Sequence, residues 1–398
     1  MPSSPRPAGA PQARSLDVLI VAHNVGSIGG MERQLAHLIE GLLGRGHTLT
    51  VIARRCELRK HERLRFVRVI GPGRPFAVAF PWFLIIASLK AHRHRRQLLH
   101  TTGALVLNRA DVVTVHFCNE ALHDRDVTQA KRDTILYRAN DRVALWMSRT
   151  LERLLYKPSR VRRLVAVSRG VAAELDRFFP SVRGRTDVIP NAVDPAEFRP
   201  DPKAALELRA RILASPDQLL AVHVAGDWER KGLRHALEGL ANAPRWALLV
   251  VGSGDRARFS RLARELGVVD RVHFKPPTKD IAQCYQAGDA FVFPTSYEAF
   301  PMVVLEAAAS GLPLLVTRVN GVEEILEDGV NGWFIDRDGD SVARGLKAVE
   351  NLGSKRTEMA EAARTSALRF GWNEVVDSYE RLYLSLADVS AAGAAGSH

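Results

Sequence analysis

The sequence predicts an α/β protein with two Rossmann-like domains, each built on a doubly wound parallel sheet. Three observations support this prediction. The chain has 398 residues, which is more than a single hydrophobic core usually supports. Short runs of Val, Leu and Ile alternate with amphipathic stretches from end to end, as expected for parallel strands buried on both faces. This alternation pauses and restarts near residues 191–200, which indicates a hinge between two domains.

The strands predicted before the hinge are Asp17–Val21, Thr48–Ala53, Arg65–Ile70, Asp111–Phe117, Leu164–Val167 and Asp187–Ile189. Those predicted after it are Leu219–Val224, Ala247–Val251, Val272–Phe274, Ala290–Phe293 and Leu314–Thr317. The predicted domains are residues 16–195 and 196–370, and a helix at 371–388 is expected to cross back to the first domain. Residues 1–15 are predicted to be a disordered leader and residues 389–398 a disordered tail.

The composition is that of a folded protein from a reducing compartment. Hydrophobic residues make up 46% of the chain, which argues against disorder. The three cysteines, Cys56, Cys118 and Cys284, are isolated and fit neither a disulfide framework nor a zinc site. Residues 1–15 lack the apolar region of a signal peptide, and no stretch reaches the roughly 18 uncharged apolar residues that a membrane span needs. We therefore expect a cytoplasmic protein.

The charge is distributed unevenly. Residues 1–200 contain 33 Lys and Arg against 17 Asp and Glu, whereas residues 201–398 contain 23 against 27. A basic first half predicts a partner with an anionic surface, either a nucleic acid or an anionic membrane. The run from Phe80 to Arg96 combines apolar, aromatic and basic residues, which favours the membrane. The alternative for this run is a buried helix whose basic end is solvated.

Two loops that follow predicted strands carry residues suited to phosphate binding. Gly29 and Gly30 precede a helix near Met31, so free amides and the positive helix end could face a ligand. Arg230 and Lys231 follow the first strand of the second domain, where two cations beside a helix start suit a diphosphate. The alternatives are a tight strand-to-helix turn for the glycines and a solvated charge pair for the cations.

A third loop follows the strand Ala290–Phe293 and holds two glutamates. Glu298 precedes a helix that starts near Pro301, and Glu306 lies inside that otherwise apolar helix. A carboxylate there is costly unless it is paired, and the vicinal hydroxyls of a ribose are suitable partners. The alternatives are a buried salt bridge for Glu306 and a helix cap for Glu298. His116 follows another strand and is either structural or part of a site.

Taken together, these segments resemble the retaining glycosyltransferases of family 4, which have the GT-B fold. The strongest match is the pair Glu298 and Glu306 within the segment EAFPMVVLE. The other matching segments occur in the family's order: Gly29-Gly30-Met31-Glu32, His116, Val167-Ser168, Val188 to Asp194, Arg230-Lys231-Gly232, and a closing helix from Trp372 to Tyr383. The resemblance covers roughly residues 16–386.

The resemblance implies two domains facing across a cleft and a transfer from a UDP- or GDP-sugar to a hydroxyl of a cell-envelope glycan or a lipid-linked acceptor, as in lipopolysaccharide assembly. Glu298, His116, Lys231 and Arg230 are the implied catalytic residues. The implied donor-binding residues are Gly29, Gly30, Arg230, Lys231, Glu298, Phe300, Met302, Val303 and Glu306. No metal and no cofactor are implied, since the nucleotide-sugar is itself a substrate. The first domain would bind the acceptor on the inner face of the cytoplasmic membrane.

Two departures from the family's pattern stand out, and two other functions compete. Asp227 and Trp228 occupy the place where many relatives have an arginine, and Ala192 replaces the usual glycine before Val193. The first alternative function is a GT-B epimerase that acts on the nucleotide-sugar itself. The second is a basic nucleic-acid-binding module, which the lack of interleaved aromatic residues disfavours. We therefore expect no nucleic-acid partner.

Overall fold

A computed structural model describes residues 15–26, 29–94, 97–124 and 135–395. They form two compact units, one containing the described residues up to 191 together with 372–395, the other containing residues 192–371. Each unit has its own parallel sheet, which confirms the predicted α/β class with two doubly wound sheets. The predicted leader lies outside the described residues except for Ser15.

The strands of the first unit are β1 Asp17–Val21, β2 Asn24–Val25, β3 Thr48–Ala53, β4 Arg55–Cys56, β5 Leu64–Arg68, β6 Leu98–Thr101, β7 Ala110–Val115, β8 Val161–Ala166 and β9 Thr186–Val188. Its helices are α1 Gly30–Gly44, α2 Phe76–His92, α3 Asn119–Asp124, α4 Ile135–Leu155, α5 Arg169–Phe178 and the C-terminal helix Trp372–Ala395. A short 3₁₀ helix covers Pro180–Val182.

Seven strands of the first unit form one sheet in the order β5-β3-β1-β6-β7-β8-β9. The central strands consist mainly of Val, Leu and Ile that are buried on both faces, as a parallel sheet covered by helices requires. The order reverses direction between β1 and β6. Ligands of doubly wound sheets bind outside the carboxyl ends of the strands at such a switch point.

The strands of the second unit are β10 Leu219–Ala225, β11 Trp246–Gly252, β12 Val272–Lys275, β13 Ala290–Phe293, β14 Leu314–Thr317 and β15 Gly332–Ile335. Its helices are α6 Pro202–Ile212, α7 Leu233–Ala241, α8 Arg256–Glu265, α9 Ile281–Gln286, α10 Met302–Ala309, α11 Gly339–Asn351 and α12 Lys355–Leu368, and the C-terminal helix of the first unit is α13. Short 3₁₀ helices cover Val269–Arg271 and Val322–Glu324.

The second sheet has the order β12-β11-β10-β13-β14-β15. Its order reverses between β10 and β13, which are hydrogen-bonded neighbours with Ala221 opposite Ala290. The carboxyl ends of β10 and β13 therefore form the switch point of this unit. Both loops that the sequence marks for the second domain leave the sheet there.

Helix α13 packs on α1 at a glycine. A Cβ atom at Gly41 would lie 2.5 Å from a methyl carbon of Val376, so only glycine permits this approach. Glu380 accepts a hydrogen bond of 2.6 Å from Arg45 and lies 3.1 Å from Nε2 of His47. Burial alone would raise the pKa of Glu380, but these two partners lower it. The pair of contacts fixes the helix beside the start of β3.

A buried chain of hydrogen bonds ties α13 to the centre of the first sheet. The hydroxyl of Tyr383 lies 2.7 Å from Nδ1 of His100, and Nε2 of His100 lies 2.8 Å from Thr114 Oγ1. Thr114 Oγ1 also lies 2.8 Å from the hydroxyl of Tyr379. Burial lowers the pKa of His100 to about 3, so its imidazole is neutral at physiological pH. Every polar atom of this cluster has a partner within the protein, which stabilises the position of the helix.

The sequence prediction missed strands at both sheets. Strand β6, at Leu98–Thr101, contains the buried His100, whose polar ring breaks the apolar pattern. Strand β15 begins at Gly332, a residue that rarely marks a strand. The prediction of a disordered tail is wrong for residues 389–395, because α13 continues to Ala395, and residues 396–398 lie outside the described residues. Alanine, common in this stretch, is the strongest helix former.

No helix among the described residues is both long and apolar enough to span a membrane.

Candidate functional site

The best-defined cluster of charged residues in the second unit lies at its switch point. The loop after β10 carries Arg230 and Lys231, and the loop after β13 carries Glu298. The two loops are joined directly, since Ser296 N donates a 3.1 Å hydrogen bond to the carbonyl oxygen of Arg230. The topology of the sheet therefore brings the two cations together with the carboxylate, although in the sequence Lys231 lies 67 residues before Glu298.

The loop after β10 is held in a tight turn that directs both cations towards the second loop. Lys231 N donates to the carbonyl oxygen of Asp227 at 3.0 Å. Gly232 follows with a φ of 80°, and a Cβ atom there would lie 2.0 Å from the carbonyl oxygen of Pro294. Only glycine combines this left-handed conformation with so close an approach. Helix α7 begins at Leu233, directly after this glycine.

The carboxylate of Glu298 is the centre of the cluster. Its Oε1 atom contacts Nζ of Lys231, lies 3.5 Å from Nη1 of Arg230 and accepts a 2.9 Å hydrogen bond from Thr295 Oγ1. Arg230 Nη1 also donates to the carbonyl oxygen of Tyr297 at 2.7 Å. Both cations are mostly buried, with side-chain exposures of 20% for Arg230 and 14% for Lys231. The interpretation of these residues as a solvated charge pair is therefore wrong.

The environment of Lys231 makes its charge dependent on a neighbouring anion. Burial lowers the pKa of its amine, and the carboxylate of Glu298 opposes this effect only in part. The ammonium also lies 5.1 Å from the ring centre of Phe293, whose face attracts a cation. A second anion near Lys231, such as a phosphate, would favour the charged form further.

Glu306 is the fifth of the eight residues of α10 and is almost completely buried. Its Oε2 atom accepts a 2.9 Å hydrogen bond from the hydroxyl of Tyr285. The helix starts at Met302, with Pro301 as its N-cap and no side-chain cap, so the interpretation of Glu298 as a helix cap is wrong. Pro301 therefore precedes the first turn of the helix, whereas the sequence predicts that it lies within that turn.

The start of α10 presents amide groups that could bind an anion. The amides of Val304 and Leu305 donate to the carbonyl oxygen of Pro301. Within the described part of the chain, no backbone carbonyl accepts from the amides of Met302 and Val303. Phe300, directly before the helix, is buried and packs edge-on against Phe370 at 5.6 Å between ring centres. This packing holds the turn that leads from Glu298 into the helix.

His116 lies in the first unit, in a cavity of about 400 Å³ at the carboxyl ends of the central strands. The residues that line this cavity include His23, Thr102, His116, Asn119 and Glu152. Gly29 caps the start of α1 with a φ of 92°, and Gly30 is the first residue of that helix. Met31 and Glu32 of α1 line the same cavity.

Burial controls the protonation of the polar groups in this cavity. It lowers the pKa of His116 to about 4 and, together with the charge of Arg54, lowers the pKa of His23 to about 4. Both imidazoles are therefore neutral at pH 7 and can donate or accept a hydrogen bond without carrying charge. Burial raises the pKa of Glu152 to about 8, although its carboxylate accepts hydrogen bonds of 3.1 and 2.6 Å from the backbone and side-chain nitrogens of Asn119. The cavity suits a polar, uncharged ligand.

Sequence reasoning missed the residues that position the two glutamates. Thr295 lies three residues before Glu298 in the same loop, so its role could have been inferred from the loop itself. Tyr285 reaches Glu306 from α9, a separate helix, and nothing in the sequence links the two. Glu152 reaches Asn119 from α4, and it also has no local signal in the sequence.

Comparison with known proteins identifies two family profiles that together span most of the chain. The profile described as Glycosyl transferases group 1 matches residues 206–366, and the profile of Glycosyltransferase Family 4 matches residues 28–197. An uncharacterized glycosyltransferase of Methanocaldococcus jannaschii is 25% identical over 383 residues, which are 89% of this chain and 94% of that protein. A D-inositol 3-phosphate glycosyltransferase of Xylanimonas cellulosilytica is 31% identical over 233 residues, which are 55% of this chain and 56% of that protein.

Solved structures with the same fold extend over nearly the whole chain. WaaG, a glycosyltransferase involved in lipopolysaccharide biosynthesis, has a TM-score of 0.76 at 21% identity, covering 92% of this chain and 99% of its own. HepE of Anabaena, solved with UDP-glucose, has a TM-score of 0.69 at 18% identity, covering 95% of this chain and 100% of its own. These similarities confirm the GT-B fold.

Proposed function

The chain belongs to the group 1, family 4 glycosyltransferases, and we propose that it transfers a sugar from a nucleoside diphosphate sugar to an acceptor hydroxyl. The proposed donor is UDP- or GDP-linked, and the proposed acceptor is a cell-envelope glycan or a lipid-linked glycan. The observation that carries the proposal is the meeting of Arg230, Lys231 and Glu298 at the switch point of the second sheet. Two cations and a carboxylate there suit a diphosphate joined to a sugar.

The proposed donor site assigns one part of the donor to each group. Arg230 and Lys231 bind the diphosphate, assisted by the amides of Met302 and Val303 at the start of α10. The family resemblance adds the backbone amides of Gly29 and Gly30, in the first unit, to the groups that bind the diphosphate. It also adds Phe300 to the residues that bind the nucleotide-sugar. Glu306, held by Tyr285, accepts hydrogen bonds from the ribose hydroxyls. Glu298 accepts hydrogen bonds from hydroxyls of the transferred sugar.

Donor binding would exchange the partners of the central ion pair. Lys231 and Glu298 neutralise each other in the free protein. A diphosphate beside Lys231 supplies a stronger anion, and the sugar hydroxyls supply hydrogen-bond donors for Glu298. Charge grows on the leaving diphosphate as the glycosidic bond breaks, and a fixed cation next to it lowers the energy of the transition state. We propose that the two cations and the helix start perform this task without a metal.

The proposed stereochemical course is retention. The departing phosphate oxygen accepts the proton of the acceptor hydroxyl on the face from which the diphosphate leaves. His116, neutral at pH 7, would donate or accept a hydrogen bond at a sugar hydroxyl and would not act as a cation. The cavity of the first unit that His116 lines is the proposed acceptor pocket.

The function is tested by incubating the protein with a panel of UDP- and GDP-sugars and candidate glycan acceptors in the presence of EDTA. We expect one donor to release its nucleoside diphosphate at a rate that increases when acceptor is added, and the product to keep the anomeric configuration of the donor by NMR. Conversion of the donor to another nucleotide-sugar without acceptor would indicate the epimerase instead. A strict requirement for Mg²⁺ or Mn²⁺ would contradict the metal-free site.

The two glutamates should respond differently to substitution. Glu306→Gln weakens binding of the unreactive ribose, so KM for the donor should rise while kcat changes little. Glu298→Gln acts at the reacting sugar, so kcat should fall by about 10²-fold or more. Steady-state kinetics of both variants measure this difference, with Glu265→Gln, at the exposed end of α8, as the matched control. Full kcat/KM in either variant would refute the role assigned to that residue.

Helix α2 supports the proposed membrane association. Ala79, Phe83 and Ala87 face the core, as the buried-helix interpretation predicts. The opposite face, however, is an apolar stripe that remains exposed, namely Val78, Trp82, Ile85 and Leu89 at helical spacing.

Basic residues lie at the C-terminal end of this stripe. Trp82 donates a 2.8 Å hydrogen bond to the carbonyl oxygen of Ile70, and Lys90 donates one of 2.7 Å to that of Arg68, so the end of β5 and the residues after it adjoin the stripe. Arg68 and Arg93 are exposed, whereas Arg95 and Arg96 lie outside the described residues. An apolar stripe with basic residues at its C-terminal end fits the interface of an anionic membrane, where each basic residue contributes about 1 kcal/mol. We propose the inner face of the cytoplasmic membrane, where a lipid-linked acceptor would be available.

Replacing the stripe should weaken membrane binding selectively. The double substitution Ile85→Ser and Leu89→Ser removes exposed apolar groups without entering the core, so flotation with anionic liposomes should fall about tenfold while the melting temperature is unchanged. Leu206→Ser, an exposed leucine of the second unit, is the control. Binding that does not depend on lipid charge or salt concentration would contradict the proposed surface. Equal binding by the double variant and the Leu206→Ser control would also contradict it.

A further inference from the structure

A second cavity in the first unit, of about 680 Å³, is lined by five arginines and a single acidic residue. The arginines are Arg109, Arg162, Arg163, Arg185 and Arg381, and the acidic residue is Asp187. We refer to these residues as the arginine cavity. Four of the five arginines belong to the basic first half of the chain, whose charge the donor site does not use, because Arg230 and Lys231 belong to the second half.

The arginine cavity lies at the opposite end of the strands from the His116 cavity. Arg109 directly precedes β7, Arg162 and Arg163 lie near the start of β8, and Arg185 directly precedes β9. These three strands are parallel neighbours, so their amino ends share one edge of the sheet. His116, in contrast, follows the carboxyl end of β7.

Two of the arginines are held in place by hydrogen bonds to other residues of the first unit. Arg163 donates two hydrogen bonds to the carboxylate of Asp187, one of them 2.7 Å long. Arg162 donates to Asp111 at 3.0 Å and to the carbonyl oxygen of Leu386 at 3.0 Å. These contacts anchor the start of β8 to β9 and to α13.

The other three arginines carry charge that no acidic side chain balances. Arg109, Arg185 and Arg381 form no ion pair with any residue in the described part of the chain. Arg381 donates to Ser378 one turn earlier on α13, and Leu382 and Ser385 continue the same helix face along the cavity. Like charges gathered in a concave surface repel each other unless an anion is bound between them.

We propose that the arginine cavity binds a free phosphorylated small molecule that carries a di- or triphosphate group. Guanidinium groups match phosphate oxygens bidentately, and three unbalanced arginines suit a ligand with several negative charges. Apolar side chains such as Ile189 and Leu386 provide a wall for the remainder of the molecule. No aromatic residue lines the cavity within the described chain, which disfavours stacked nucleic-acid bases.

A membrane headgroup is a less suitable source of the phosphate. The apolar stripe of α2 adjoins β5 at one edge of the sheet, whereas the arginine cavity adjoins the starts of β7, β8 and β9 on the other side. Four to six strand spacings separate β5 from these three strands, or about 19 to 29 Å at roughly 4.8 Å each. A ligand from solution can reach the cavity whether or not the stripe of α2 contacts a membrane.

The proposal is tested by calorimetric titration of the full chain with inorganic tripolyphosphate and pyrophosphate at low salt. The variant carries Arg109→Ala and Arg185→Ala, which break no ion pair among described residues, and its melting temperature verifies folding. The control is Arg183→Ala, an exposed arginine outside the cavity whose guanidinium donates to the carbonyl oxygen of Asp176. Wild type and control should bind one more equivalent of tripolyphosphate than the double variant, or bind it at least about tenfold more tightly.

Equal binding by wild type and the double variant would overturn the proposal, as would equal weakening in the control. Flotation with anionic liposomes separates the two sources of phosphate. Binding to liposomes that depends on Arg109 and Arg185, without binding of free tripolyphosphate, would refute the soluble ligand. The result does not depend on the donor site, because the wild type and the double variant both contain Arg230 and Lys231. The test measures only the difference in tripolyphosphate binding between these two proteins.

Discussion

The contact between Lys231 and Glu298 is the interaction on which the organisation of the candidate donor site depends. A cation and a carboxylate removed from water each carry a large desolvation cost, which their mutual attraction offsets only when the geometry is good. Here Thr295 and Arg230 supply additional partners to the same carboxylate oxygen. Removing one partner of such a pair typically costs about 3–5 kcal/mol, so both residues are coupled to the stability of the loops that hold them. A ligand can replace either partner only by offering the same charge or hydrogen bonds.

This contact exists because of the sheet topology. Strands β10 and β13 are neighbours in space although the chain forms β11 and β12 between them. The reversal of strand order at this point leaves room outside the carboxyl ends, and both loops open into that room. Gly232 then brings the first loop against Pro294 of the second at a distance that no side chain would permit. The first unit uses the same principle, since the His116 cavity lies at the carboxyl ends of its central strands.

The features predicted from the sequence are those with a local signal. Buried strands such as Ala290–Phe293 were found to the residue because continuous Val, Leu, Ile and Phe runs follow from burial on both faces. Strand β6 was missed because its buried His100 is satisfied by Tyr383 and Thr114, and such distant partners leave no trace in a short segment. For the same reason, the sequence does not reveal that Tyr285 is the hydrogen-bond partner of Glu306. The limit of prediction from sequence is clearest at the arginine cavity, because its residues come from three strand starts and one helix that only the fold brings together.

The exchange of partners at Lys231 is tested most directly by calorimetry of UDP and GDP binding to the wild type, Glu298→Gln and Lys231→Met. In Glu298→Gln the buried ammonium loses its carboxylate, so a diphosphate becomes its main counter-charge. We expect this variant to bind the preferred nucleotide about tenfold more tightly than the wild type, and Lys231→Met to bind it at least about tenfold more weakly. Weaker nucleotide binding in Glu298→Gln, or unchanged binding in Lys231→Met, would contradict the proposed exchange.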